Sequence, residues 1–134
     1  MDPQELAKVP LFSDLSQEDL EAVATYADEA TVSAGKHLVD QGGYAYDLFA
    51  ILEGTAQVLV DGSEVGELGP GDFFGETGVL EKEKRNATVI AKTRMRLATL
   101  TGWDLRRMRN QLAPAMEKLE QAIQERRRPL EAER

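Results

Sequence analysis

The chain of 134 residues contains no cysteine and a single histidine, His37. Without cysteine, neither a disulfide framework nor a thiolate metal site can form. One imidazole cannot supply the histidine sets that metal-dependent β-barrel enzymes draw on. A serine nucleophile would have to share that same His37, and no serine stands in a nucleophile-elbow context. His37, with polar neighbours in a short strand, reads as a surface residue. Glu81 and Glu83 sit in a Lys/Glu-rich stretch, where solvation explains them better than general acid–base work. The chain is therefore expected not to be an enzyme and to need no metal or cofactor. Long apolar runs are also missing, since none approaches the roughly eighteen residues of a membrane span. The start, Met1-Asp2-Pro3-Gln4-Glu5, lacks the basic residues and apolar stretch of a secretory signal. The expectation is a cytoplasmic protein with no membrane partner. Aromatic residues are few: Trp103 is the sole tryptophan and is expected in the core with Met108, and Tyr44 and Tyr46 are expected to pack.

Positive charge is scarce in the first part of the chain. Residues 1–80 carry sixteen acids against two bases, whereas residues 81–134 carry eight acids against fourteen bases. An acidic first part argues against nucleic acid as a partner, because phosphate neutralisation supplies most of such affinity. The basic surplus of the last part reads as a solvated helix surface.

What is present has three textures. Residues 5–28 read as helical: Leu6, Val9 and Leu11-Phe12 precede Ser16, a good N-cap followed by acids, and Leu20, Val23 and Ala27 recur at helical spacing. Pro10 separates a short first helix from this second one. Residues 30–101 are punctuated by glycine at the intervals of an all-β domain, with strands expected at 30–33, 37–41, 47–53, 55–60, 63–68, 72–74, 86–92 and 95–101. Asp61-Gly62, between TAQVLV and SEVGEL, is the strongest hairpin signal. The fold class is mainly β with flanking helices, an eight-stranded double-sheet jelly roll. Residues 103–128 are helical again. There Leu112, Met116, Leu119 and Ile123 form one apolar stripe, able to pack on the roll or on a second copy of the chain. The whole, residues 1–134, reads as one domain.

One stretch does not fit a plain hairpin. In GDFFGETGVLEKEKRNATV, residues 71–89, a strand gives way to Gly75-Glu76 and resumes after Arg85-Asn86-Ala87. Gly75 lets a ligand approach the backbone. Residues 76–80 are long enough for one helical turn, whose free N–H groups attract a phosphate. Glu76 can accept hydrogen bonds from sugar hydroxyls. Arg85 offers a fork that matches two phosphate oxygens, and Ala87 is small enough to leave its own N–H accessible. The competing reading, a surface Glu–Arg pair, is worth about 0–1 kcal/mol.

FGETGVL followed by RNATVIAKT resembles the phosphate-binding cassette of cyclic nucleotide-binding domains, as in catabolite-activator-type regulators, kinase regulatory subunits and nucleotide-gated channels. VPLFSDLSQEDLEAVA resembles the family's N-terminal helical segment. DQGGYAYDLFAILEGTAQVLV, with Asp47 and Gly54, is similar to its glycine–aspartate–strand–glycine signature, and GPGDFFGE to its lead into the cassette. The resemblance covers about residues 5–125. It implies an eight-stranded roll with a mobile C-terminal helix and a cassette at 74–88. It also implies that Glu76 binds the ribose 2′-hydroxyl, that Arg85 binds the cyclic phosphate, and that backbone groups of Gly75, Thr77, Gly78, Asn86 and Ala87 complete the cradle. cAMP is the expected ligand and cGMP the second candidate. Thr77 departs from the family's aliphatic residue. Asn86 departs from its Ser, Thr or Ala, at a position that bears on the choice between those two ligands. Catabolite-activator relatives continue into a helix-turn-helix domain, for which this sequence leaves no room after its last long helix. The expectation is a cyclic nucleotide sensor that signals through its C-terminal helix. The alternative is a dimerisation or interaction module that has kept the roll without the ligand.

Overall fold

Asp2 and Ser16 start the first two helices. The Asp2 carboxylate accepts the Gln4 N–H at 2.9 Å, and Pro3 occupies the first helical position of α1 (Pro3–Ala7). The Ser16 hydroxyl accepts the Asp19 N–H at 3.1 Å and opens α2 (Gln17–Tyr26), with Glu18 and Asp19 in its first turn. Between them Pro10 begins a single 3-10 turn, Pro10–Phe12. The helical segment thus runs from Pro3 to Tyr26 and breaks at Pro10. The computed structural model describes residues 1–43, 47–74 and 87–111, and beyond these 113, 114, 116, 117, 120 and 121. The expected packing of Tyr44 and Tyr46 lies outside the described residues, as do Glu81 and Glu83.

The eight expected strands are all present: β1 (Asp28–Val32), β2 (His37–Val39), β3 (Asp47–Glu53), β4 (Ala56–Val60), β5 (Ser63–Leu68), β6 (Phe73–Phe74), β7 (Thr88–Ala91) and β8 (Met95–Thr101). They form two antiparallel four-stranded sheets, in the orders β1-β8-β3-β6 and β2-β7-β4-β5. β1 begins two residues earlier than expected because its pairing with β8 already starts at Asp28 opposite Thr99. Asp61 and Gly62 have φ of 52° and 82°, so the two-residue turn joining Val60 to Ser63 has both central residues at positive φ, as expected.

β3 and β8 explain the layering. Along β8, Met95 and Leu97 point between the sheets, while Ala98 and Leu100 point to the opposite face; along β3, Ile51 faces inward and Leu48 and Ala50 face outward. The inward set meets Ala56, Val89 and Ala91 of the second sheet. The outward set is covered by Leu6, Val9, Phe12, Leu20 and Val23 of the N-terminal helices and by Leu105 and Met108 of α3 (Gly102–Gln111). One sheet therefore serves two cores, and its central strands read as nearly continuous apolar runs for that reason. Arg96 is the exception on the outward row of β8. Its guanidinium is held by Glu29 and by Glu53 (2.9 Å), with Glu5 of α1 at 3.8 Å, which ties α1, β1, β3 and β8 together. The hydrogen bond with Glu29, then that with Glu53, raises the Arg96 pKa above its ordinary value. His37 is a surface residue as expected, paired with Asp40 at 2.8 Å.

Gly54 closes the β3–β4 connection with φ of +91°, and a Cβ there would lie 2.3 Å from the Arg94 carbonyl oxygen and 2.9 Å from Met95 Cα. Both neighbours are backbone atoms of the start of β8 and cannot yield. Gly54→Ala combines a disfavoured φ with overpacking, so a loss of at least about 2 kcal/mol is expected in urea denaturation. A change below about 0.5 kcal/mol would show that the loop relaxes freely around the new methyl group.

Candidate functional site

Of the seven expected site residues, Gly75, Glu76, Thr77, Gly78, Arg85 and Asn86 lie outside the described residues. Ala87 is described: it is half-buried, at a bend leading directly into β7. The structure describes both ends of the segment in detail.

The entry end is fixed to β3. Gly69-Pro70-Gly71-Asp72 forms a turn, with the Asp72 carboxylate accepting the Gly69 N–H at 2.8 Å. Gly71 N–H donates to the Ile51 carbonyl at 2.9 Å, and Ile51 N–H donates to the Asp72 carbonyl at 2.8 Å. β6 then pairs Phe74 with Phe49, whose rings stack with centroids 4.9 Å apart at 14°. Phe74 is buried between the sheets, so the residue before Gly75 is anchored in the core.

The exit end belongs to the other sheet. Thr88 pairs with Leu59 of β4, and Val89 pairs with both Val58 of β4 and Val39 of β2. β7 is thus an interior strand, held from both sides. The chain leaves β6 at the edge of one sheet at Phe74 and re-enters the interior of the other at Thr88. The two described flanks of the candidate segment, Phe74 and Thr88, thus belong to different sheets of the roll.

α3 follows β8 without a loop. The Asp104 carboxylate accepts the Thr101 N–H (3.0 Å) and hydroxyl (2.8 Å), while Thr101 Oγ1 accepts the Asp104 N–H (3.1 Å). This reciprocal capping satisfies the Thr101 and Asp104 N–H groups at the helix start. Tyr26 ties the far end of α3 to α2: its hydroxyl donates to Gln111 Oε1, and the Arg107 guanidinium lies 5.5 Å from its ring centroid. Beyond α3, Glu120 accepts from Arg109 at 3.0 Å, and Met116 is buried in the same cluster as Leu105 and Met108. Leu112, Leu119 and Ile123 of the expected stripe lie outside the described residues.

Trp103 corrects the sequence reading. It was expected in the core beside Met108, but it is 73% exposed, with the Arg106 guanidinium 5.2 Å from its ring centroid, whereas Met108 is fully buried. Leu105 and Met108 define the inward side of α3, and Trp103, two residues before Leu105, falls on the opposite side of a 3.6-residue turn. The spacing itself carried that signal. Sequence reasoning also missed Arg96 as a hub: a charged residue in an apolar strand marks it, but its three acidic partners come from distant segments.

Among the described residues, no group of three or more acidic or histidine side chains could hold a metal ion, and no helix is long and apolar enough to cross a membrane. A cleft of about 210 Å³ lies between the N-terminal helices and the β5–β6 turn, lined by Glu5, Lys8, Pro10, Ile51, Pro70 and Gly71 among others. None of its lining residues belongs to the candidate site.

The family model for the cyclic nucleotide-binding domain matches residues 29–111. Over 95 residues the chain is 36% identical to the cAMP-dependent protein kinase regulatory subunit of Schizosaccharomyces pombe, a match covering 70% of this chain and 23% of that protein. The chain spans about a quarter of the length of the curated relatives it matches. Among solved structures, the regulatory subunit of a cAMP-independent protein kinase A from Trypanosoma brucei, in a mutant bound to cAMP in its A site, superposes with a TM-score of 0.79 at 26% identity, covering 92% of this chain and 45% of that one. The catabolite activator protein of Thermus thermophilus superposes with a TM-score of 0.78 at 26% identity, covering 92% of this chain and 61% of that one.

The position of Trp103 makes it a direct reporter of this surface. Its fluorescence is expected to resemble that of free tryptophan in water, with ready quenching by acrylamide. A blue-shifted, poorly quenched emission would place the ring in the core after all.

Proposed function

Because the chain belongs to the cyclic nucleotide-binding domain family, we propose that residues 1–134 form one cytoplasmic regulatory domain that binds cAMP and has no catalytic activity of its own. The observation that carries this is the occurrence of Glu76 and Arg85 in one segment of the sequence whose described flanks, Phe74 and Thr88, belong to different sheets of the roll. In this reading the Arg85 fork takes two oxygens of the cyclic phosphate. Glu76 accepts the ribose 2′-hydroxyl, which marks the ligand as a ribonucleotide. Backbone groups of Gly75, Thr77, Gly78, Asn86 and Ala87 complete the cradle. Asn86 can donate or accept, so it is the residue through which cGMP would compete with cAMP.

The relatives support the ligand class. The kinase regulatory subunit of Schizosaccharomyces pombe is named for cAMP dependence, and the Trypanosoma brucei mutant binds cAMP. The output we assign is the C-terminal helix. Met116 already packs with Leu105 and Met108 on the helical layer, and the stripe it shares with Leu112, Leu119 and Ile123 can cover the base or a second copy of the chain. A ligand shifts such an equilibrium only by binding one arrangement better than the other. The base, projecting beyond the cradle, is where that difference would arise.

Arg85→Ala is expected to cost about 3–5 kcal/mol of binding, or roughly two to four decades in cAMP affinity by titration calorimetry, with the fold intact. Retention of affinity within about threefold would remove Arg85 from the site. Glu76→Gln should cost less, about 1.5–3 kcal/mol, and should erase the preference for cAMP over its 2′-deoxy analogue. Equal affinity of the unsubstituted chain for both ligands would remove Glu76. Saturating cAMP is also expected to slow hydrogen exchange across residues 114–126. Unchanged exchange there would leave the helix as a cover rather than an output.

A further inference from the structure

Gln41 follows β2 and makes three hydrogen bonds to two distant segments. Its backbone N–H donates to Thr88 Oγ1 at 2.9 Å. Its side-chain Nε2 donates to Asp61 Oδ1 at 2.9 Å, and its Oε1 accepts the Asp61 N–H at 2.8 Å. Thr88 is the first residue of β7, and Asp61 is the first residue of the β4–β5 turn. The sheet order is β2-β7-β4-β5. A residue at the end of β2 that bonds to the start of β7 and to the turn between β4 and β5 therefore clamps all four strands at one end. That is the end at which the chain returns from the candidate site, with Ala87 next to Thr88.

Resting on the reading of Arg85, Asn86 and Ala87 as phosphate-binding, we infer that Gln41 is a positioning residue of that phosphate site. It pins the start of β7 to β2 on one side and to the β4–β5 turn on the other, and so holds still the backbone from which Arg85 and the Ala87 N–H address the ligand. Two features favour this role over one in stability alone. The three hydrogen bonds are solvent-exposed, so each adds little to global stability. A bidentate phosphate site, by contrast, has to be held within about 0.5 Å of its productive geometry. The reciprocal pair with Asp61 also fixes which end of the Gln41 amide points where, because the carboxylate needs the Nε2 donor and the Asp61 N–H needs the Oε1 acceptor.

That polarity supplies the test. Gln41→Glu sets an acceptor against the Asp61 carboxylate, with Asp40 adjacent, and breaks the side-chain link to the β4–β5 turn by like-charge repulsion, leaving the backbone bond to Thr88 in place. Adding Asp61→Asn restores it: the introduced amide donates to the introduced carboxylate, and asparagine accepts the positive φ that Asp61 adopts in this turn. The readout is the cAMP dissociation constant of the 134-residue chain by titration calorimetry, beside its thermal midpoint. A lowered midpoint alone leaves the dissociation constant unchanged while the chain stays folded, so affinity separates positioning from stability. Q41E is expected to weaken binding about five- to tenfold, and Q41E/D61N is expected to return it to within about twofold of the original. Gln41→Ala removes the side-chain clamp without adding charge, and is expected to weaken binding in the same direction should Q41E fail to fold. Unaltered affinity in Q41E or in Gln41→Ala overturns the inference, as does weakened binding that the double substitution does not rescue. An unsubstituted chain that binds no cyclic nucleotide overturns the proposed function and this inference together.

Discussion

Burial of one sheet on both faces is the constraint on which the rest of the structure depends. β3 and β8 must be apolar on two sides, because the second sheet covers one face and the helices cover the other. From this follow the tight β3–β4 connection at Gly54, where only hydrogen fits against the backbone of β8, and the loop-free entry into α3 at Thr101. Arg96 sits on the same covered face and is tolerated because acids from α1, β1 and β3 converge on it. Its net worth is that of an exposed network, so it fixes the register of four elements more than it adds stability.

The same arrangement builds the candidate site. The chain leaves the edge of the doubly covered sheet at β6 and enters the interior of the other sheet at β7, so the candidate segment is flanked by strands of both sheets. Phe74, stacked on Phe49, holds one wall; Thr88, paired with Leu59 and bonded to Gln41, holds the other.

Much of the fold was legible because local chemistry and global architecture agree. Ser16 and Asp61-Gly62 each state their conformation through residue type, and both are as expected. Strand bounds at β3, β5 and β8 were legible for the same reason, since glycine or turn residues flank them. Trp103 was misread because a lone aromatic residue was weighed by type rather than by its offset from Leu105 and Met108. Gln41 and Arg96 were not legible in the same way. Their partners stand 20 to 91 residues away, and neither periodicity nor turn chemistry reports which distant side chains a fold brings together. For the candidate site, the residue types at 75–78 and 85–87 state a chemistry, and the described frame of Phe74 and Thr88 supplies its two supports.

Among the described residues β8 is the last strand in chain order, yet it lies between β1 and β3 in its sheet. β1 and β3 do not pair with each other; each pairs with β8, from Asp28 opposite Thr99 to Asp47 opposite Thr101. During synthesis, therefore, the helical N-terminus and the first seven strands emerge without the strand that joins β1 to β3. The β4–β5 hairpin is local and can form early, but the doubly covered sheet must wait until residue 101 has left the ribosome. Assembly of the roll is thus a late, concerted event in the life of the nascent chain, dominated by pairings of high sequence separation. Until then the apolar faces of β3 and of the N-terminal helices have no partner sheet, and this is the interval in which the chain depends most on protection from aggregation.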